Sequence, residues 1–266
     1  MTTGISQLDT NFTMQQGELV VIGAKSSHGT TSFIIDITLH NNKNNKNTVI
    51  YSYENSQQEL LAMVSKKSDD ELNIIQSHFT ITQLIDDIRI QHKTNKIDMV
   101  IIDSIQLIKN NSTFPTTYSD ARDLKNLAME LDIVVLVVSK IAEPYKNKLN
   151  LVRPILHDLD KNSEFTQFAS KVLIIYRKSI DNKILDQINQ DEAIKNNKKY
   201  KSTYVNNLID DTELIIVKNK THLQIPQIIK INFDKLNIKF INKGAVYIDP
   251  KAKTLDSLDD LEPPKL

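Results

Sequence analysis

The residues best placed to do chemistry form one short stretch near the N-terminus. An apolar run, Leu19–Ile22, is followed by small and polar residues, Gly23–Gly29, and then by Thr30–Leu39, whose apolar residues recur at helical spacing. A strand, a tight loop and a helix start are the context of a phosphate-binding loop, because backbone N–H groups and the helix N-terminus hold phosphate oxygens there. We therefore predict a phosphate site formed by Gly23, Ala24, Lys25, Ser26, Ser27, His28, Gly29, Thr30 and Thr31.

This loop lacks its usual charge. In phosphate-binding loops a lysine after the last glycine reaches the outer phosphates, and the next hydroxyl holds magnesium. Here the last glycine is Gly29, the hydroxyl is Thr31, and the lysine position is Thr30. Lys25 lies on the other side of the turn and could replace the missing charge in part. Of the six histidines, we expect only His28, inside the loop, to touch a ligand.

Two carboxylates follow apolar strands further along the chain. Asp103 ends the run Asp98–Ile102, and Glu54 follows Val49–Tyr53. Each residue alone is commonly just a polar strand end. The carboxyl ends of parallel strands, however, meet at one edge of a sheet, so we expect both side chains to face the loop. Asp103 would then hold magnesium together with Thr31, and Glu54 would polarise an attacking water.

Lys218 and Lys220 follow the apolar run Glu213–Val217. One interpretation is that they present cations to a phosphate, in this subunit or in a neighbouring one. The other is a solvated lysine pair in a lysine-rich chain. The residues alone leave both interpretations open.

Composition limits the class of protein. The 266 residues, 40% of them hydrophobic, suffice for one large domain or two small ones. Lys+Arg and Asp+Glu are both 33, so no overall charge predicts nucleic-acid or membrane binding. The absence of cysteine excludes disulfides and thiolate metal sites and suits a cytoplasmic protein. No apolar run reaches the roughly 18 residues of a membrane span, and no signal peptide is recognisable.

Strands alternate with helices over most of the chain, which predicts an α/β fold with a mostly parallel sheet covered on both faces. We predict one domain over residues 1–250, with a polar, partly helical insertion at 178–212 and a flexible tail at 251–266. Residues 65–80 receive no assigned element. A C-terminal hairpin is predicted at Ile225–Phe233 and Ile238–Phe240.

The order of these motifs resembles the C-terminal, RecA-like motor domain of DnaB-type replicative DNA helicases. The resemblance covers residues 2–177 and 211–242 and rests on TTGISQLD, GAKSSHGTTSF, IYSYEN, IIDSIQLI, VVLVVSKI, RPILHDLDKNSEFTQFASKVLIIYR and ELIIVKNK. It implies ATP with magnesium as cofactor, single-stranded DNA as ligand, and a ring or filament of subunits. The site residues that it implies are the catalytic Glu54, Asp103 and Gln106, the trans-acting finger Lys218 and Lys220, and the DNA-contact loop Asp160, Lys161, Asn162 and Ser163.

The departures from the family lie at functional positions. Thr30 replaces the loop lysine, Lys140 replaces a glutamine beside Ser139, and Lys220 replaces the arginine of the finger. Lysine keeps a charge but loses the bidentate fork of arginine. In the DNA-contact loop, Asp160 stands where the family has an arginine that holds a phosphate, so we expect weak binding to single-stranded DNA.

The resulting hypothesis is that the chain is a catalytically impaired, replication-associated binding or assembly protein. It would bind ATP weakly and interact with replication proteins. One alternative is a working ATP-dependent helicase in which Lys25 or Lys140 supplies the displaced charge. A second alternative is a nucleotide-independent scaffold. The N-terminal collar of the helicases is expected to be absent from these 266 residues, and a separate chain could supply it.

Overall fold

A computed structural model describes residues 1–108, 118–141, 153–221 and 225–248, with only the backbone described at 118, 160–163 and 242–248. Within these ranges, nine strands form one sheet in the order β3-β2-β4-β5-β1-β6-β7-β8-β9. The strands are β1 Leu19–Ala24, β2 Thr48–Ser52, β3 Asn73–Gln76, β4 Met99–Asp103, β5 Val134–Lys140, β6 Lys171–Tyr176, β7 Ile209–Asn219, β8 Gln227–Asp234 and β9 Lys239–Ile248. The first six are parallel, and β7, β8 and β9 pair antiparallel. The predicted α/β class, with a mostly parallel sheet and a C-terminal hairpin, is confirmed.

Helices cover both faces of this sheet. They are α1 Ser6–Asp9, α2 Thr30–Lys43, α3 Gln57–Val64, α4 Ile81–Thr94, α5 Tyr118–Leu131, α6 Ser163–Phe168 and α7 Lys178–Lys195, with short 3₁₀ turns at Ile105–Leu107 and Leu156–Asn162. Capping boxes begin α3 at Ser56 and α4 at Thr80, where each hydroxyl accepts a hydrogen bond from the backbone three residues on. No helix in the described ranges is both long and apolar enough to span a bilayer.

Alternate residues of the central strands feed two separate cores. Val20 and Ile22 of β1 pack with α2 and α3 on one face, whereas Leu19 and Val21 pack with α4, α5 and α6 on the other. This follows from the period of two along a strand. Because both faces are covered, the inner parallel strands are apolar throughout, which explains why they were recognisable as short hydrophobic runs.

Two strands differ from the sequence-based expectation, and the insertion, which was predicted to be partly helical, begins with one long helix. The strand β3 lies within residues 65–80, where none was assigned; it is a short edge strand in which only Ile74 is buried, so it carries almost no hydrophobic pattern. The insertion begins with one 18-residue helix, α7, of which Asp181 is the buried residue. The strand β7 begins at Ile209, four residues before the predicted start, Glu213. The tail at 251–266 lies outside the described residues.

The topology gathers polar side chains at one edge. The loop after β1, Glu54 after β2, Asp103 at the end of β4 and Lys140 at the end of β5 all lie at the carboxyl ends of parallel strands. We call this the carboxyl edge and the opposite one the amino edge. Since β7 runs antiparallel to β6, Lys218 near the end of β7 lies at the amino edge, paired with Val172 near the start of β6.

Candidate nucleotide-binding site

The loop between β1 and α2 turns tightly at its last glycine. Gly29 has φ +96°, in the left-handed region that favours glycine, and it directly precedes α2. A Cβ atom at Gly29 would also lie 3.3 Å from Phe240 Cζ, so the turn is both left-handed and closely packed. Gly23, still within β1, packs closely against Leu159, because a Cβ there would lie 2.8 Å from Leu159 Cδ2 and that side chain would have to shift.

A cavity of about 240 Å³ opens over this loop. Its polar lining comes from the loop and from the ends of the neighbouring strands: Lys25, Ser26, Ser27, Gly29, Thr30, Thr31, Ser32, Glu54, Asp103, Lys140 and Arg177. Apolar side chains close the rest of it: Met63, Val138, Phe233 and Ile238. The loop, Glu54 and Asp103 therefore share one crevice, as the strand-end argument predicts.

The side chain of His28 corrects the expectation that it touches a ligand. It is buried and does not line the cavity. Its Nδ1 atom accepts a hydrogen bond from the backbone N–H of Arg177 at 3.0 Å, and its Nε2 atom lies 3.4 Å from Asp181 Oδ1. Because His28 contacts the end of β6 and the start of α7, it supports the loop from the side away from the cavity.

Thr31 and Asp103 form the candidate magnesium site. The Thr31 hydroxyl donates to Asp103 Oδ2 at 3.3 Å, and Asp103 is only 1% exposed. Burial raises the pKa of the Asp103 carboxyl to about 6; the negative charge of Glu54 adds to this, and the Thr31 hydrogen bond opposes it. A hydroxyl and a carboxylate are the oxygen donors that magnesium prefers, so these residues fit the ion.

Glu54 is neutralised by a neighbour. Lys140 Nζ forms an ion pair with Glu54 Oε1, and both side chains are about one-third exposed. Gln106 binds the same strand end: its amide donates to Ser139 Oγ at 3.1 Å and to the backbone oxygen of Lys140 at 3.0 Å. Gln106 does not itself line the cavity, so its catalytic role stays a prediction.

The other two cations that line the cavity, among the residues described, are paired as well. Lys25 Nζ contacts Asp181 Oδ2 of α7 at 2.7 Å. Arg177 Nη2 donates to Asp210 Oδ2 at 2.7 Å, and its guanidinium lies 4.1 Å from the centre of the Phe233 ring. Sequence reasoning missed Arg177, although the strand-end rule that selected Glu54 and Asp103 also applies to it. Nothing in the sequence indicated Asp181.

Lys218 and Lys220 are not part of this cavity. Lys218 Nζ donates to the backbone oxygens of Thr166 at 2.7 Å and Gln167 at 3.0 Å, at the end of α6. Burial, with the nearby charge of Lys220, lowers the pKa of Lys218 to about 8. The six residues of β6 separate them from the loop by about 17 Å. The expectation that they reach a phosphate within their own subunit is therefore wrong. The neighbouring-subunit interpretation stays open, as does a solvated role for the exposed Lys220.

The predicted DNA-contact residues are described by their backbone alone. Asp160, Lys161 and Asn162 end the 3₁₀ turn Leu156–Asn162, and Ser163 begins α6. Their side chains lie outside the described part of the chain, so their contribution to DNA binding stays a prediction.

Comparisons of the sequence with a family model and with curated proteins identify the same family. The family model described as DnaB-like helicase C terminal domain matches residues 1–74 and 62–242. The replicative DNA helicase DnaB of Helicobacter pylori strain J99 is 27% identical over 269 residues, which cover 82% of this chain and 55% of that protein. A probable plasmid replicative DNA helicase of Chlamydia psittaci is 27% identical over 212 residues, 66% of this chain and 46% of its own length. The chain thus spans about half the length of these curated relatives.

Solved structures share the fold. One solved ATPase domain superposes with a TM-score of 0.69 at 19% identity, covering 91% of this chain and 90% of that one. A structure of a DnaB-like replicative helicase and its interactions with primase gives a TM-score of 0.66, also at 19% identity, over 91% of this chain and 63% of that one. The predicted RecA-like architecture is confirmed.

Proposed function

We propose a function for this chain on the basis of its family, since the chain belongs to the DnaB-like helicase C-terminal domains. Its role is that of a replication-associated binding or assembly protein. It binds Mg-ATP weakly through the loop and hydrolyses it slowly or not at all.

The observation that carries the proposal is the pairing of the cavity's cations. In the described lining, Lys25, Lys140 and Arg177 each contact a carboxylate of this chain, and Thr30 adds no charge. Phosphoryl transfer depends on charge stabilisation at the outer phosphates, and removing one such group costs around 10²–10³ in rate. Lys140 also offsets the charge with which Glu54 would polarise a water. Both effects slow hydrolysis.

The proposal retains weak nucleotide binding because the chain has backbone N–H groups that can hold phosphate and oxygen donors that can hold magnesium. The loop N–H groups and the N-terminus of α2 would hold phosphate oxygens, and Thr31 with Asp103 would hold magnesium. When bound, Mg-ATP supplies the phosphoanhydride bond. The protein's own contribution is to hold it, and Glu54 would have to lose Lys140 before it could orient a water.

Assembly and DNA binding follow the family with two restrictions. Lys218 and Lys220, at the amino edge, would face a neighbouring subunit's nucleotide in a ring or filament, since such contacts are head-to-tail. Single-stranded DNA would bind weakly, because Asp160 adds a repulsion where the family has an arginine. The partners proposed are replication proteins of the cytoplasm.

The test is titration calorimetry with Mg-ATP, paired with a hydrolysis assay with and without single-stranded DNA. We expect binding of the wild type with negligible turnover. Turnover at an ordinary rate that Lys25→Ala abolishes would instead establish the alternative, an ATP-dependent helicase with a displaced lysine. Absence of nucleotide binding in both the wild type and Thr30→Lys would favour the nucleotide-independent scaffold. Thr94→Lys is the matched control, because it adds the same charge at the end of α4, away from the cavity.

A further inference from the structure

We propose that Asp181 is a positioning residue that withholds Lys25 from phosphate, so that α7 sets how tightly the loop binds an anion. This inference rests on the proposed nucleotide binding and adds to it a residue outside the cavity that controls affinity. The ligand class is the triphosphate or diphosphate group of a nucleotide, for which inorganic pyrophosphate serves as a probe.

The contact between Lys25 and Asp181 is close and shielded from solvent. Lys25 Nζ lies 2.7 Å from Asp181 Oδ2, and the two side chains are 12% and 2% exposed. Burial alone would raise the pKa of the Asp181 carboxyl, but His28 and Lys25 together hold it below its ordinary value. Asp181 is therefore an anion at neutral pH, and it neutralises the one lysine of the loop.

The surroundings hold Asp181 in place. His28 Nε2 approaches its other oxygen to 3.4 Å, and the His28 ring lies 5.9 Å from the ring of Tyr176, centroid to centroid. The Lys25 ammonium lies over the same tyrosine ring, 5.8 Å from its centre. On α7, Asp181 is the buried residue, whereas the helix is otherwise exposed or half-buried. The Asp181 side chain thus helps to hold the phosphate-binding loop in place, although it lies on the helix of a polar insertion.

Lys25 also lines the cavity, so its ammonium has two anions within reach: Asp181 and a bound phosphate. A phosphate gains Lys25 only by competing with a carboxylate already 2.7 Å away. The carboxylate also repels the phosphate directly, and this repulsion is strong because the surroundings are shielded from water and have a low dielectric constant. Removing this one charge, while keeping the side chain's shape, should tighten anion binding about tenfold, which corresponds to about 1.4 kcal/mol.

The experiment is calorimetric titration of the whole chain with pyrophosphate and with Mg-ATP. The variants are Asp181→Asn, Lys25→Gln, the two combined, and Asp191→Asn. We expect Asp181→Asn to bind each ligand about tenfold more tightly than the wild type, and Lys25→Gln to remove that gain in the double variant. Asp191→Asn is the matched control: it removes the same charge from the exposed part of α7, ten residues and about 15 Å further along the helix, and should change nothing.

A purely structural role for Asp181 predicts the opposite sign, because the loop would lose its tether and bind more weakly. Weaker or unchanged binding by Asp181→Asn therefore overturns the inference. If the wild type binds the ligands and Asp181→Asn does not bind them more tightly, the proposed function holds and only the inference about Asp181 fails. If neither protein binds, both fail. Binding only by Asp181→Asn supports the inference and contradicts weak binding by the wild type.

A second measurement needs no variant, in case Asp181→Asn does not fold. Hydrogen exchange of the wild type is followed with and without saturating pyrophosphate. If Lys25 leaves Asp181 for the ligand, amides in the second turn of α7, which are the first with intrahelical hydrogen bonds, should exchange several-fold faster in its presence. Unchanged or slower exchange there, while the loop itself becomes protected, contradicts the inference.

Discussion

The two edges of the sheet use the same residue type differently. At the carboxyl edge, Lys25 and Lys140 each contact a carboxylate of their own chain. At the amino edge, Lys218 contacts only the backbone oxygens of α6 among its described hydrogen bonds, and Lys220 lies close enough to help lower its pKa. Cations at the first edge are thus paired with carboxylates of their own subunit, whereas the described hydrogen bonds of Lys218 at the second edge go to uncharged backbone oxygens. The proposed function depends on this difference, because it would leave the shape of the nucleotide site intact while its cations are already paired.

The largest expected effect comes from restoring a free cation at the carboxyl edge. Thr30→Lys combined with Lys140→Gln should raise ATP turnover about 10²–10³-fold over the wild type, because it returns one charge to the phosphates and frees Glu54. Steady-state phosphate release measures it. Thr94→Lys combined with Lys140→Gln is the control, and an equal rise there would mean that freeing Glu54 alone accounts for the gain and that a lysine at position 30 adds nothing.

The metal site should give the next largest effect. Asp103→Asn removes a carboxylate from the candidate magnesium site while keeping the side chain's size. Mg-dependent nucleotide affinity should fall at least tenfold, since even outer-shell partners of a metal are worth that much. Titration with ATP in the presence and absence of magnesium measures it. Identical magnesium dependence in variant and wild type would place the ion elsewhere.

The same substitution should stabilise the empty protein. The folded-state pKa of Asp103 is raised from 3.8 to about 6, so the ionised carboxylate costs folding free energy above pH 6 and the protonated one does not. Without magnesium, Asp103→Asn should therefore be more stable than the wild type by up to about 3 kcal/mol at pH 7.5, since each unit of pKa shift is worth about 1.4 kcal/mol. The advantage should shrink as pH falls towards 4. Denaturant unfolding at the two pH values checks this, and a pH-independent difference would contradict it.

The smallest effect concerns the amino edge. Lys218→Ala with Lys220→Ala should weaken nucleotide-dependent self-association several-fold and leave nucleotide binding by the single subunit unchanged, because these lysines lie at the edge opposite the cavity. Light scattering with and without Mg-ATP, beside calorimetry, separates the two. A loss of nucleotide binding by the dilute, monomeric variant would contradict the assignment of these lysines to a neighbour's site.

Much of the fold and part of the site were predictable for a physical reason. Buried parallel strands are largely apolar, so β1, β2, β4 and β5 stood out, and the meeting of their carboxyl ends brought Glu54 and Asp103 to the loop. The strand β3 was missed because a short edge strand with one buried residue leaves almost no pattern.

The pairing of the cations was not predictable. Lys25 and Asp181 are 156 positions apart, and Asp181 lies on a polar helix whose sequence gives no sign of a buried face. Lys140 and Glu54 were each singled out, yet their contact depends on the register of β5, β4 and β2. Long-range ion pairs of this kind depend on topology that a single sequence does not fix.

The central claim is that the wild-type protein binds Mg-ATP without turning it over. The most direct test is its ATP hydrolysis rate at saturating Mg-ATP, with and without single-stranded DNA, on protein whose nucleotide binding has been shown by calorimetry. We predict a rate at least 10²-fold below the ordinary range of roughly 1–10³ per second. A rate within that range, lost in a Glu54→Gln control, would contradict the claim.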